Sequence, residues 1–224
     1  MATKIDSNGN YLPFYGYSMI SMCEQNPKLI ELYYILKSSP IGKYFEPLNY
    51  STYHMTIFHI WSEREKFYPY QMAGGKPKRE LCAMNAIMKP VLFRMLEKMK
   101  EYSDLNTITL KNVKVYIRPR GSTLVLTVGV ASDQQNEQTK NFRLWCERQC
   151  NKSDSNLRFH ITFGYLFKEV NEDIEPACRK LDEWKKNNIP MIIIGKPTPM
   201  VFTSMETFIP YHQAFKKRDT MEVV

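Results

Sequence analysis

Apolar residues along this chain of 224 residues follow two patterns, one typical of strands and one typical of helices, and the change from one to the other predicts where each begins and ends. Short runs rich in β-branched and aromatic residues are typical of strands, while apolar residues that recur every three or four positions are typical of helices. Strands are predicted at residues 17–23, 52–61, 107–117, 122–131, 157–167, 191–194 and 200–209. Helices are predicted from residue 27 to the turn at 40–42, from 79 to about 101, from 132 to about 150 and from 172 to 187.

Residues that favour helix ends and turns set the boundaries of these elements. Pro27 suits the first position of a helix, and Ser132 fits the start of a capping box. Pro90 falls inside the longest helix and is expected to kink or divide it. Because helices alternate with short strands and no long linker separates them, the pattern is typical of an α+β or α/β domain. We expect one domain over residues 1–224, with its core at about 10–210.

The composition is that of a globular protein with an excess of positive charge. Hydrophobic residues make up 43% of the chain and charged residues 24%, which argues against disorder of the whole chain. The net charge is +8, and the pI is about 9.1. This excess favours an anionic partner such as a nucleotide or RNA, although a basic solvated surface without a partner explains it equally well.

The cysteines and the apolar runs indicate the compartment. The chain carries Cys23, Cys82, Cys146, Cys150 and Cys178, without a CxxC pair. We expect reduced thiols in a cytoplasmic protein. The first 16 residues lack the apolar stretch of a signal peptide, and runs such as Met191–Ile194 are too short to span a bilayer. No contact with a membrane is therefore expected.

Two near-copies of one short motif lie about a hundred residues apart. The first reads YHMTI at 53–57, and the second reads FHITF at 159–163. Each is aromatic–His–apolar–Thr–apolar, and each lies in a predicted strand. Because side chains at i and i+2 of a strand share a face, each histidine shares a face with its threonine. The aromatic and apolar positions then form the opposite face, which suits burial in a core.

Placed side by side, the two strands would present two imidazoles and two hydroxyls to one groove. A neutral histidine can take a proton from an attacking hydroxyl, and a protonated histidine can give one to the leaving oxygen. The hydroxyls of Thr56 and Thr162 can donate hydrogen bonds to phosphate oxygens. We therefore expect His54 and His160 to be a catalytic pair. Since no carboxylate lies at ligand spacing in either motif, neither a metal nor another cofactor is expected.

With these two His-x-Thr motifs, the chain resembles the two-histidine (2H) phosphoesterase superfamily, which includes LigT-like and cyclic nucleotide phosphodiesterases. The resemblance implies a bilobal α+β fold. Two antiparallel sheets would be related by pseudo-twofold symmetry, with outer helices and one motif in each sheet. It also implies a metal-independent phosphodiesterase that acts on 2′-linked or 2′,3′-cyclic ribonucleotide phosphates.

Several substrates fit this chemistry. The enzyme could hydrolyse 2′,3′-cyclic phosphates at RNA ends, or cleave the 2′–5′ linkage of an oligoadenylate or of a cyclic dinucleotide such as cGAMP. The expected partners are thus a nucleotide, a cyclic dinucleotide or an RNA end. The alternative to an enzyme is a non-catalytic module that binds RNA or a nucleotide. The oligomeric state is left open, with a monomer as the working expectation.

Further contacts to a base or a phosphate are expected from Phe58, Arg158, Arg118, Arg120 and Tyr17. Phe58 lies two residues beyond Thr56, so strand parity places it on the groove face, where it could stack on a base. Gly164 is the equivalent position in the second motif and could leave room for the ligand. Arg158 precedes His160 on the same face and could contact a phosphate. Ordinary packing or a solvated charge explains each of these residues equally well.

The chain contains two more histidines. By the same parity, His59 faces away from His54 and is interpreted as structural. His212 lies in a polar C-terminal stretch, and nothing in the sequence supports a role for it.

Overall fold

A computed structural model describes residues 4–62, 81–117, 123–152 and 158–216 of the chain. The strands are β1 (Pro13–Met22), β2 (Phe45–Pro47), β3 (His54–Ser62), β4 (Thr107–Ile117), β5 (Thr123–Val130), β6 (His160–Leu166), β7 (Met191–Gly195), β8 (Thr198–Ser204) and β9 (Phe208–Pro210). The helices are α1 (Pro27–Ser38), α2 (Leu81–Met99), α3 (Asp133–Cys150), α4 (Glu175–Asn188) and α5 (Tyr211–Lys216), with short 3₁₀ helices at Pro40–Lys43, Tyr50–Thr52 and Ser103–Asn106.

The described strands form one antiparallel sheet in the order β7-β4-β5-β6-β3-β1-β8-β9. The short strand β2 lies outside this order and pairs with Gly164, Tyr165 and Leu166 of β6. The first lobe comprises β3, β1, β8 and β9, and the second comprises β6, β5, β4, β7 and β2. A single Cα pair, Met55 with Ile161, joins β3 to β6, and a bridge between Cys23, which follows β1, and Ile194 of β7 also connects the lobes. The predicted α+β fold class with antiparallel strands is confirmed, and its two sheets meet edge to edge as one continuous sheet.

Each lobe builds its motif strand in the same way. In the first lobe, β1 leads through α1 to β3, which pairs antiparallel with β1. In the second, β5 leads through α3 to β6, which pairs antiparallel with β5. The two motif strands are central neighbours in the sheet, and equivalent strands flank them. This repeated topology is the pseudo-twofold relation that the resemblance implies.

The buried faces of the helices cover the sheet. Helix α1 buries Leu29, Leu32 and Leu36, because these positions recur every three or four residues. Helix α3 starts after Ser132, whose hydroxyl accepts a hydrogen bond from the Gln135 backbone N–H, as the capping box predicts.

Several predicted boundaries differ from the structure, and β1, for example, begins at Pro13 and not at residue 17. Helix α2 is undivided and continues through Pro90. Helix α4 begins at Glu175, three residues after the predicted start. The strand predicted at 200–209 is a hairpin of β8 and β9, because the Ser204 hydroxyl accepts hydrogen bonds from the backbone N–H groups of Glu206 and Thr207 and closes a turn.

Gly164 makes room for backbone and not for a ligand. It pairs with Pro47 of β2. A Cβ atom at position 164 would stand only 2.6 Å from the carbonyl oxygen of Glu46. The close packing of β2 onto β6 therefore requires glycine here.

We expect Gly164→Ala to lower the free energy of unfolding by about 1–3 kcal/mol, because the added methyl group must displace the β2 backbone. The matched control is Gly129→Ala in the neighbouring strand β5. There a Cβ would meet the flexible end of the Lys111 side chain at 3.3 Å. Urea unfolding of both variants measures the difference, and equal losses would contradict this explanation of Gly164.

Candidate functional site

A groove at the junction of the two lobes contains both motifs. The side chains of His54, Thr56, His160 and Thr162 all line it, and all four are half-buried. The groove has a volume of about 200 Å³, against roughly 30 Å³ for one water molecule. It can hold a phosphate group together with part of its ester. The prediction that the two histidines and two threonines share one face is confirmed.

The antiparallel pairing of β3 with β6 decides which groups face each other. When the single pair that joins the two strands is continued by one residue, His54 lies across from Thr162. In the other direction, Thr56 lies across from His160. In this register each imidazole corresponds to the hydroxyl from the other lobe, and a phosphate in the groove can meet groups from both.

Behind the groove, the apolar positions of the motifs are buried. Met55, Ile57, Ile161 and Phe163 are fully buried. The ring of Phe163 contacts the ring of Tyr53 from the other motif, with centroids 5.2 Å apart. This apolar contact fixes the two strands relative to each other, and therefore fixes the groups on their front faces.

The two motif histidines are held by the same hydrogen bond. Nδ1 of His54 donates to the backbone carbonyl of Thr52 at 2.7 Å, and Nδ1 of His160 donates to that of Arg158 at 2.8 Å. Because a carbonyl only accepts, each bond places the proton on Nδ1. In a neutral ring the lone pair is then on Nε2. Both rings are thus fixed in the tautomer that can accept a proton at Nε2.

The surroundings of His54 favour its neutral form. The rings of Phe202 and Phe208 contact it, with centroids 5.9 and 5.4 Å away. Burial, with a smaller contribution from the nearby charge of Lys4, lowers the pKa of His54 from 6.5 to about 4. The Thr52 carbonyl opposes this shift without cancelling it. At neutral pH His54 is therefore an uncharged base.

Two bulges in β3 change which later residues face the groove. Along β1, the pairs run from Ile20 with Thr56 to Met19 with Phe58, which leaves Ile57 unpaired. A second shift follows His59. Since a bulge reverses the alternation of faces, Phe58 is fully buried and His59 lines the groove. The predictions that Phe58 faces the groove and that His59 faces away were wrong, because the alternation of faces along β3 does not continue through the bulge.

His59 brings a third imidazole to the groove. Its Nδ1 lies 3.2 Å from the hydroxyl oxygen of Ser18 on β1. A hydroxyl can donate or accept, so this contact does not select one tautomer as the carbonyl contacts of His54 and His160 do.

The other predicted contacts have mixed outcomes. Tyr17 is fully buried against Trp61, and its neighbours Gly16 and Ser18 line the groove instead, so the expectation that Tyr17 contacts a base was wrong. Arg158 contributes its backbone carbonyl to His160, while its side chain is exposed. A role for its guanidinium stays a prediction. The predicted phosphate contacts Arg118 and Arg120 lie outside the described residues.

Several groove residues come from segments in which the sequence shows no motif. Lys4 and Phe14 come from the N-terminal part, and Phe202 and Met205 come from the C-terminal hairpin. Their proximity to the motifs depends on long-range strand pairing. No local signal could have identified them.

Two further findings concern metal ligands and membrane-spanning helices. Over residues 4–62, 81–117, 123–152 and 158–216, no group of three or more His, Cys, Asp or Glu side chains is placed to hold a metal ion. None of the helices in these ranges has the length and apolar character needed to cross a bilayer.

The chain is similar to a viral protein over most of its length. No protein-family model matches it. The uncharacterized protein 127L of Invertebrate iridescent virus 6 is 30% identical over 178 residues, which are 75% of this chain and 73% of that protein.

Solved structures with low sequence identity are also similar. A conserved protein of unknown function from Agrobacterium tumefaciens, ATU0111, is 15% identical, with a TM-score of 0.71 over 94% of this chain and 90% of its own. This match shows a shared fold. Escherichia coli LigT complexed with 3′-AMP is 12% identical, with a TM-score of 0.49 over 89% of this chain and 95% of its own.

We expect the lowered pKa of His54 to make the folded protein sensitive to acid. Between about pH 6.5 and 4 the unfolded chain binds a proton at this residue that the folded chain does not bind, so stability falls as the pH falls through this window. The free energy of unfolding should decrease from pH 7 to pH 4.5 by about 2 kcal/mol less in His54→Gln than in the unmodified protein.

The control is His212→Gln, because His212 is an exposed histidine outside the groove. Urea unfolding at the two pH values measures each loss. If His54→Gln and His212→Gln lose the same stability between pH 7 and 4.5, the assignment of His54 as a neutral base is wrong.

Proposed function

The chain belongs to the protein family that includes protein 127L of Invertebrate iridescent virus 6, and we propose that it is a metal-independent phosphodiesterase of the 2H phosphoesterase type. One observation carries the proposal. His54 and His160 come from equivalent strands of the two lobes, each ring is fixed through Nδ1 by a backbone carbonyl, and both line one groove with Thr56 and Thr162.

In this proposal His54 is the general base. Its lowered pKa keeps it neutral at physiological pH, and its fixed tautomer places the lone pair on Nε2. It removes a proton from the attacking group, which is water in hydrolysis or a ribose hydroxyl in transesterification. As the proton moves to Nε2, the new bond between oxygen and phosphorus forms.

His160 is the general acid of the pair. In its protonated form it donates the Nε2 proton to the leaving ribose oxygen as the bond from phosphorus to that oxygen breaks. The cycle ends with His54 protonated and His160 neutral, and exchange with solvent restores both. His54 and His160 are the pair because they hold equivalent positions in the two motifs and each has its tautomer fixed by a backbone carbonyl, whereas Nδ1 of His59 lies beside the Ser18 hydroxyl.

The threonines stabilise the charge on the phosphate. Because Thr56 comes from β3 of the first lobe and Thr162 from β6 of the second, and both line the groove, the two hydroxyls can approach the non-bridging oxygens from opposite lobes. Hydrogen bonds aimed at oxygens that gain negative charge in the transition state lower the barrier.

The substrate class follows from the motif resemblance together with the net charge of +8. We propose a ribonucleotide phosphate that is 2′,3′-cyclic or 2′-linked. A 2′–5′ oligoadenylate and a cyclic dinucleotide such as cGAMP would be cleaved at the 2′–5′ bond. An RNA end would be hydrolysed at its cyclic phosphate.

Turnover should be measured in EDTA with a nucleoside 2′,3′-cyclic phosphate, a 2′–5′ oligoadenylate and 2′,3′-cGAMP. We expect cleavage of at least one substrate without metal, and a decrease on the order of 10²–10⁴-fold in His54→Ala and in His160→Ala, because each variant lacks one proton-transfer group. The preferred substrate would separate the processing of RNA ends from the removal of signalling nucleotides.

His212→Ala is the control and should keep full activity. Loss of all cleavage in EDTA, or full activity in either motif variant, would contradict the mechanism. Nucleotide binding without cleavage of any substrate would favour a non-catalytic binding module.

A further inference from the structure

The first described residues form a hairpin that we name the N-terminal strap, residues 4–12. Ile5 forms an antiparallel bridge with Tyr11. The turn between them is closed by the carboxylate of Asp6, which accepts hydrogen bonds from the backbone N–H and the side-chain amide of Asn10, each at 2.9 Å. The strap is therefore an ordered element with its own hydrogen bonds.

The strap connects the two lobes. It leads directly into β1 of the first lobe. It also contacts the second lobe. The Tyr11 hydroxyl donates to the carbonyl of Glu46 on β2 at 2.8 Å, and the Tyr11 ring meets the edge of the Tyr165 ring on β6 at 6.0 Å. Residues 4–12 thus cross from one lobe to the other beside the groove.

The strap brings the Lys4 ammonium into the groove. Nζ of Lys4 lies 4.7 Å from the centroid of the Phe14 ring in the first lobe and 5.0 Å from that of Tyr165 in the second. It also donates to the Tyr165 hydroxyl at 3.4 Å. Contacts of this kind with aromatic rings hold an ammonium in place without neutralising its charge.

The charges around the groove suit an anion. Among the described residues that line it, Lys4 is the one lysine or arginine, and none is a carboxylate. The nearby carboxylate of Glu46 lies against Gly9 at the turn of the strap and is not part of the lining. A half-buried cation without a carboxylate in the same groove is placed to meet a negatively charged ligand.

We propose that Lys4 is a substrate-binding residue, and that its ammonium contacts a non-bridging oxygen of the phosphate held between the two motifs. The proposal rests on the function proposed above and extends its site to the N-terminal strap. A phosphate in the groove would be bound by hydroxyls from both lobes and by a cation from the segment that connects them. Because Lys4 also lowers the pKa of His54, the same charge would help to keep the base neutral.

Binding of adenosine 2′-monophosphate and of adenosine, measured by calorimetry, tests the proposal without requiring turnover. Lys4→Met keeps the apolar stem and removes the charge, so we expect it to weaken binding of the monophosphate by about 10- to 100-fold. Binding of adenosine, which lacks the phosphate, should not change. Lys4→Arg should restore monophosphate binding to within a few-fold, because it restores the cation.

Lys140→Met, which removes an exposed charge on α3, is the control for net charge and should bind like the unmodified protein. Equal weakening in Lys4→Met and Lys140→Met, failure of Lys4→Arg to restore binding, or no monophosphate binding by the unmodified protein would overturn the proposal. Binding that depends on Lys4 in a protein without turnover would support this proposal while rejecting the phosphodiesterase.

Discussion

The pairing of β3 with β6 is the constraint on which the site depends. One Cα pair joins these two strands, and the apolar residues behind it are fully buried. Because strand side chains alternate between faces, burial of Met55 and Ile161 sends His54 and His160 to the opposite face. The same pairing therefore closes the core and assembles the groove. A shift of the register by one residue would exchange the two faces and remove the site.

The two motif histidines are alike in their hydrogen bonds but have different surroundings. Both donate Nδ1–H to a carbonyl two residues earlier. The first lies against Phe202 and Phe208, which come from the C-terminal hairpin of its own lobe. Pseudo-twofold symmetry thus supplies two equivalent imidazoles, and the surroundings of His54 favour its neutral form. Acid–base catalysis requires such a difference, because one group must accept a proton while the other donates one.

Local sequence patterns predicted the fold class and the four motif residues, because short stretches of regular strand obey a period of two. They failed where the geometry depends on a partner strand. Phe58 and His59 exchanged faces because the bulge at Ile57 is set by pairing with β1. Tyr17 was misplaced because its apolar run is buried on both faces, so the sequence alone did not show which side faces the groove. Lys4 has no motif around it, and only the folding of residues 4–12 across the lobes reveals its position.

The dependence of kcat/KM on pH, measured in EDTA with the preferred substrate, tests the central claim most directly. If neutral His54 is the base and protonated His160 the acid, activity should rise as the pH increases through about 4 and fall again at higher pH, when the acid loses its proton. A profile that stays flat across both limbs, or an acidic limb near the ordinary histidine value of 6.5, would contradict the assignment of the two roles.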